Sequence, residues 1–252
     1  MLRRVRYDGV MRCSRAFDHG GTALVVTSQL GPGVVRGDRL ELRGTLDENA
    51  RLIVTAQAAT RILGGAQLAS SYARWDVEPH AQLQLIGEPL VASEGGRYEA
   101  TQRVALARGA RVLISDAARA PADCEVRLRT IIEIEGVESL YDAVDVQCTA
   151  PAAFGTLALF GLNGAEVART TALLDELCAD VPDAQAGVGA YPRGVLVRVL
   201  ADSLWPVCAA LAHLRDALGV VLLDRWPDDD ESEMIHLSND GRSSPRYDAL
   251  KS

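Results

Sequence analysis

The chain has 252 residues, of which 48% are hydrophobic and 24% charged, with a net charge of −8. That is enough for one large domain with its own core, in the ordinary range of a soluble globular protein, and the acidic balance excludes nucleic acid as a partner of the whole chain. No apolar run approaches the roughly 18 residues of a membrane span, and with only 5% aromatic residues the core must be built from Val, Leu, Ile and Ala.

The first residues, MLRRVRYDGVMRCSRAF, are basic but lack the apolar stretch of a secretory signal. Cysteines at 13, 124, 148, 178 and 208 are odd in number, scattered and without a C-x-x-C pair. This predicts free thiols and a cytoplasmic setting. His19, His80, His213 and His236 are equally scattered, so no local metal-ligand motif exists.

From Gly31 the chain reads GPGVVRGDRLEL. A phosphate loop needs a lysine after its last glycine, whereas Asp38 follows Gly37 and would repel phosphate. A dinucleotide loop opens a helix, whereas the residues after Asp38 alternate like a strand. The Arg36–Asp38 tripeptide matches an adhesion motif with no secretion signal to support it. Gly31, Gly33 and Gly37 therefore predict a bend between sheet layers, with Asp38 capping it or facing a partner.

Three segments then align without gaps: LDENARLIV from Leu46, VEPHAQLQL from Val77 and LARGARVLI from Leu106. Their alanines, Ala50, Ala81 and Ala110, are 31 and 29 residues apart. Each segment follows a run of strand-like alternation: RLELRGTL, YARWDV and YEATQRVAL. A period near 30 predicts stacked strand–turn–strand units sharing one core; a sandwich of unrelated hairpins is the alternative. VRLRTIIEIEGVESLYDAV reads as a fourth unit, with Glu138 in place of the alanine.

After about residue 160 the period changes to that of helices. One is expected over Ala165–Asp180 and another over Asp202–Leu218, with Asp202 as N-cap and Gly219 as C-cap. In the second, Leu204, Val207, Cys208, Leu211, Leu214 and Leu218 form one apolar stripe, with His213 beside it on the helix surface or core edge. RGVLVRVLA between the helices reads as a buried strand. Residues 1–226 are expected to form a single domain and 227–252, polar and acidic, a disordered tail.

Four segments in order resemble the urease accessory proteins of the UreD (UreH) family: GPGVVRGDRL from Gly31, VTAQAATRIL from Val54, EPLVASEGGRYEATQRVAL from Glu88, and ARGARVLISDAA from Ala107. Ser115 replaces the aromatic residue common in the family before the acidic position, here Asp116. The resemblance implies a β-rich, helix-like stack of strands with two helices. It also implies a non-enzymatic scaffold that binds apo-urease and UreF-type and UreG-type partners, the last a GTPase. Nickel would be cargo in transit along an internal polar path, with no tightly bound cofactor, no nucleic acid and no membrane. Carried over by motif position, the path residues are Thr55, Thr60, Glu88 and Asp116, the last ending the apolar strand RVLIS. Taken singly, the plainer roles are strand residues for the threonines and a turn cap for Asp116. Two other readings stay open: a β-rich hydrolase using Asp38 and Asp116, and a plain sheet-based interaction module.

Overall fold

The computed structural model describes residues 10–35, 37–65, 67–147 and 152–222. Arg36, Cys148 and the expected tail at 227–252 lie outside the described residues. In chain order the strands are β1 (Met11–Cys13), β2 (Phe17–His19), β3 (Thr22–Gln29), β4 (Arg39–Leu46), β5 (Arg51–Ala56), β6 (Thr60–Ile62), β7 (Ala69–Val77) and β8 (Gln82–Ile86). There follow β9 (Leu90–Ala92), β10 (Arg97–Leu106), β11 (Arg111–Ala120), β12 (Glu125–Ile134), β13 (Val137–Gln147) and β14 (Ala152–Phe160). Helix α1 (Gly164–Ala179), the hairpin β15 (Gln185–Tyr191) and β16 (Gly194–Ala201), and helix α2 (Leu204–Leu222) complete the fold.

The strands form two stacked sheets. One has 11 strands, with the order β1-β3-β5-β8-β11-β14-β16-β15 along its main path; the other has five, ordered β13-β12-β10-β7-β4. Within the stack, β4, β7, β10 and β12 run parallel in the small sheet, and β3, β5, β8 and β11 run parallel in the large one. The chain thus winds from sheet to sheet as a β-solenoid-like stack.

The repeated alanines mark its corners. In each of the arches Asp47–Ala50, Glu78–Ala81 and Ala107–Ala110, the alanine N–H closes the turn onto the carbonyl three residues back, at 3.1 Å. The residue before it is left-handed: Asn49 at φ 58°, His80 at 58° and Gly109 at 70°. Asn and Gly accept that conformation readily. The arches are laddered, with Asn49 N–H donating to the Pro79 carbonyl and His80 N–H to that of Arg108. The alanine points into the corner, where Ala81 and Ala110 are fully buried and a larger side chain would not fit.

The fourth unit is not an arch. Glu135 and Gly136, at φ 51° and 79°, form a two-residue turn, and two left-handed residues in succession produce a tight antiparallel hairpin. Strand β13 therefore stays beside β12 in the small sheet, with a bulge between Ile132 and Glu133. The chain returns to the large sheet only with β14, which pairs antiparallel to β11.

The bend between β3 and β4 is the glycine stretch. Gly31, Gly33 and Gly37 all have positive φ. A β-carbon on Gly33 would lie 2.5 Å from the Arg61 carbonyl oxygen, so the close approach of the two chains requires glycine. Asp38 caps the bend by accepting from the Val35 N–H at 2.9 Å.

The helices cover the outer face of the large sheet, α2 over β11, β14 and β16, and α1 over β15 and β16. Asn163 caps α1 through a reciprocal bond with Glu166. Helix α2 begins at Leu204, so Asp202 lies two residues outside it rather than at its cap, and it runs through Gly219 instead of ending there. Val207, Leu211, Leu214 and Leu218 of the apolar stripe are buried, and His213 is exposed. Cys13, Cys178 and Cys208 are free thiols, and Cys124 Sγ lies 3.1 Å from the Pro121 carbonyl oxygen. Among the described residues no helix is long and apolar enough to cross a membrane.

Candidate functional site

Strand alternation places every second residue of β11 inside the stack. Val112 and Ile114 enter one interior cluster and Ala120 another, while Leu113 and Ala117 face the helices. Asp116 shares the parity of the interior set. It stands in the middle of β11 rather than at a strand end, a carboxylate on an otherwise apolar inner face.

Its neighbours across the large sheet are also small or polar. Gly87, one residue past β8, donates its N–H to the Ser115 carbonyl at 2.9 Å and continues the register that pairs Ile86 with Ser115. On the other side Asp116 pairs with Thr156, Thr156 with Arg198, and Arg198 with Gly187. The facing sheet carries a matching row. Leu42 and Ala73 are paired, then Ala73 and Gln102, Gln102 and Thr130, and Thr130 and Asp142. Counted outward from the Ala107–Ala110 arch, Leu106 matches Val112 and Val104 matches Ile114, all four within one cluster. The next inward-facing residues along the two strands are Gln102 and Asp116. A polar row thus crosses the strands inside the stack, apolar at the Leu42 end and charged at the other.

At the charged end the rows join. The Arg198 guanidinium donates to Thr156 Oγ1 and to Asp142 Oδ1, linking the large sheet to the small one. Behind them opens a cleft of about 610 Å³ whose lining includes Asp142, Val146, Phe154, Arg198 and Leu200.

Asp116, Thr156 and Arg198 keep accessible surface although they point inward, while Ile114, Ala118, Phe154 and Ala158 beside them are buried. The accessible surface takes in the polar row and extends past it to the partly buried Ala100, Leu128 and Val146 and the exposed Leu200. Burial pushes the Asp116 carboxyl up to about 6 from its ordinary value, and no opposing charge contributes. Burial also raises the Tyr98 phenol; its hydrogen bond to Ser71 Oγ, at 2.7 Å, offsets part of this, and the Asp116 charge adds to it. Gln102 Nε2 is a buried donor with no protein acceptor, a group that an ordered water in the row would satisfy. Among the described residues no three His, Cys, Asp or Glu side chains gather as a metal cluster. The donors of the row are carboxylate, hydroxyl and amide oxygens, which hold a borderline dication loosely.

Of the residues named from sequence, the structure brings only Asp116 into this row. Thr60 has the parity of the fully buried Ile62, hence the inner face, but on β6 beside β9. Thr55 has the parity opposite to the buried Val54, and its carbonyl accepts from Thr27 Oγ1 at 3.0 Å. Glu88 is exposed beyond β8, where its charge adds to the burial that raises the Cys208 thiol. Gly31, Gly33, Gly37 and Asp38 remain together in the β3–β4 bend, with Asp38 occupied by its own turn. Sequence reasoning missed Gly87, Gln102, Thr130, Asp142, Thr156 and Arg198. The available signal was a polar residue interrupting the inward parity of a buried strand, as Arg198 does in GVLVRVLA.

Comparison with known proteins identifies the fold's relatives. Over 234 residues the chain is 27% identical to urease accessory protein UreD 2 of Saccharopolyspora erythraea, covering 86% of this chain and 80% of that protein. It is 32% identical over 223 residues to urease accessory protein UreD of Natronomonas pharaonis, covering 79% and 73%. A shorter match, 31% identical over 100 residues, to urease accessory protein UreD of Sorangium cellulosum covers 40% of this chain and 32% of that protein. The family model described as UreD urease accessory protein matches residues 1–229; the chain belongs to the UreD urease accessory protein family.

Proposed function

We propose that the protein passes nickel to apo-urease through the interior polar row, in a complex with UreF-type and UreG-type partners. The observation that carries this reading is an inward-facing row of oxygen donors that keeps accessible surface, with one carboxylate at its centre. A dication entering a protein interior loses hydration worth many kcal/mol, and carboxylate and hydroxyl oxygens replace it one contact at a time. Transit needs ligands weak enough to be left again, as oxygen donors are and a Cys or His cage is not. With its carboxyl near 6, Asp116 is mostly ionised at neutral pH and carries its charge without a fixed counter-ion.

Activation of apo-urease by purified components, with nickel counted per active site, tests the reading. Asp116→Ala is expected to leave the accessory complex assembled and to lower the nickel delivered. Full delivery by that variant would remove Asp116 from the path. Turnover by the isolated protein would replace the scaffold reading with an enzymatic one.

A further inference from the structure

The polar row ends on a cation that belongs to the protein. Arg198 extends from β16 in the large sheet, on the face shared with the interior residue Leu196, and its guanidinium meets Asp142 of β13 and Thr156 of β14. These are the kinds of oxygen donor that a transiting dication would use. The pair is largely screened from solvent, the Arg198 side chain being 29% exposed and that of Asp142 14%. Elsewhere between the facing sheets the interior contacts are apolar, and a more exposed ion pair joins Arg193 to Glu135 at the hairpin turns. Side-chain space is open at Gly187, the register partner of Arg198, where nothing lies within 4 Å of an added β-carbon.

We infer that Arg198 is a tethered stand-in for the passing ion: its guanidinium closes the cleft end of the row by occupying Asp142 and Thr156, and a divalent metal cation enters or leaves there by displacing it. This rests on the cation-path reading of the row. The displaced side chain has room in the cleft, which is flanked by the exposed Leu200. The Asp142 carboxylate keeps a cationic partner throughout, and the charge beside it rises by one when a dication takes the place of the guanidinium. The latch makes Arg198 a gating residue, acting on the metal through the ligands that it covers.

Equilibrium dialysis of the full-length chain against Ni²⁺ alone, with a melting curve for each variant, tests the latch. Arg198→Met keeps much of the side-chain length and uncovers Asp142. It is expected to lower the Kd for Ni²⁺ by about tenfold, the scale of one freed charge contact. Arg198→Lys, a point charge without the guanidinium fork, is expected to fall between Arg198→Met and the parent chain. Adding Asp142→Asn to Arg198→Met should abolish the gain. An unchanged Kd in a folded Arg198→Met variant overturns the latch and leaves Arg198 a staple between sheets. If that variant does not fold, an unchanged Kd for Arg198→Lys does the same. Asp116→Asn in the urease activation assay keeps the two ideas separable. Undiminished nickel delivery there removes Asp116 from the path and leaves the Arg198→Met Kd to decide the latch, whereas diminished delivery with an unchanged Kd for Arg198→Met sinks only the latch.

Discussion

Gly87 and Asp116 occupy the same space: a β-carbon built on Gly87 would lie 2.3 Å from Asp116 Oδ1. The neighbouring strand gives up its side chain where the carboxylate must sit. Gly87→Ala is therefore expected to force the carboxylate out of its position, at a cost of about 1–3 kcal/mol typical of overpacking. Asp116→Ala in the same chain should recover most of that cost, because the clash partner is gone. Denaturant unfolding of both single variants and the double variant gives the coupling energy; additive effects would show that the two side chains do not compete.

Asp116 also predicts a pH dependence of definite sign. Its carboxyl is raised by burial to about 6 from 3.8, so the folded chain holds this proton more tightly than the unfolded chain does. Stability contributed by the group is complete below the unfolded value, declines as pH rises through the interval, and is lost above about 6. The penalty at neutral pH is on the order of 3 kcal/mol. Asp116→Asn should raise stability at pH 7.5 and change it little at pH 4, where the parent carboxyl is already neutral. Unfolding midpoints of the two proteins at both pH values check this. Nickel delivery by the parent chain should weaken as pH falls through about 6, when the row loses its central charge.

Arg111, in the repeat position also held by Arg51 and Gln82, ties the strand stack to helix α1. Its guanidinium meets Glu166 at 2.7 Å, with side chains 15% and 10% exposed. Glu166 also accepts from the Asn163 N–H in the helix cap. Glu166→Gln keeps the shape and an acceptor but removes the charge, and is expected to cost about 3 kcal/mol, as breaking a buried pair does. Glu166→Ala should cost about 1 kcal/mol more through the damaged cap. Unfolding free energies separate the two contributions, and equal losses would mean that the cap contributes nothing.

Local patterning made much of the fold legible. RLELRGTL became β4 without a change of boundary, the alanine spacing located three arches, and the apolar stripe defined the buried face of α2. The failures concern pairings made far along the chain. Asp142 meets Arg198 across 56 residues, and the meeting depends on Glu135–Gly136 forming a hairpin. Read as a fourth arch, that segment would send the following strand to the other sheet. Their motif positions give Thr55 and Thr60 one role, although their odd separation, interrupted between β5 and β6, gives them opposite parities relative to Val54 and Ile62. A polar residue on an inner face is visible in sequence only after the face is known, which is why Asp116 was found through its motif and Thr156 was not found at all.

Leu211 tests the other side of the large sheet. It is 3% exposed in the cluster formed by α2, β14 and β16, and it lies so close to β14 that a β-carbon on Gly155 would come within 2.7 Å of both Leu211 Cδ1 and Val207 Cγ1. Helix and strand approach this closely because Gly155 has no side chain. Leu211→Ala leaves a cavity and should cost about 2–5 kcal/mol. Leu211→Asp brings a carboxylate to the same buried position, where it must drive the helix off the sheet or take up a proton. Gly155→Ala should push α2 outward without adding a charge, with an overpacking cost of about 1–3 kcal/mol. The expected order of destabilisation is Leu211→Asp first, then Leu211→Ala, then Gly155→Ala, measured as denaturation midpoints. Leu211→Asp should also grow more stable as pH falls and the new carboxyl is neutralised. A Leu211→Asp variant with the parent midpoint at neutral pH would show that α2 does not rest on β14 in solution.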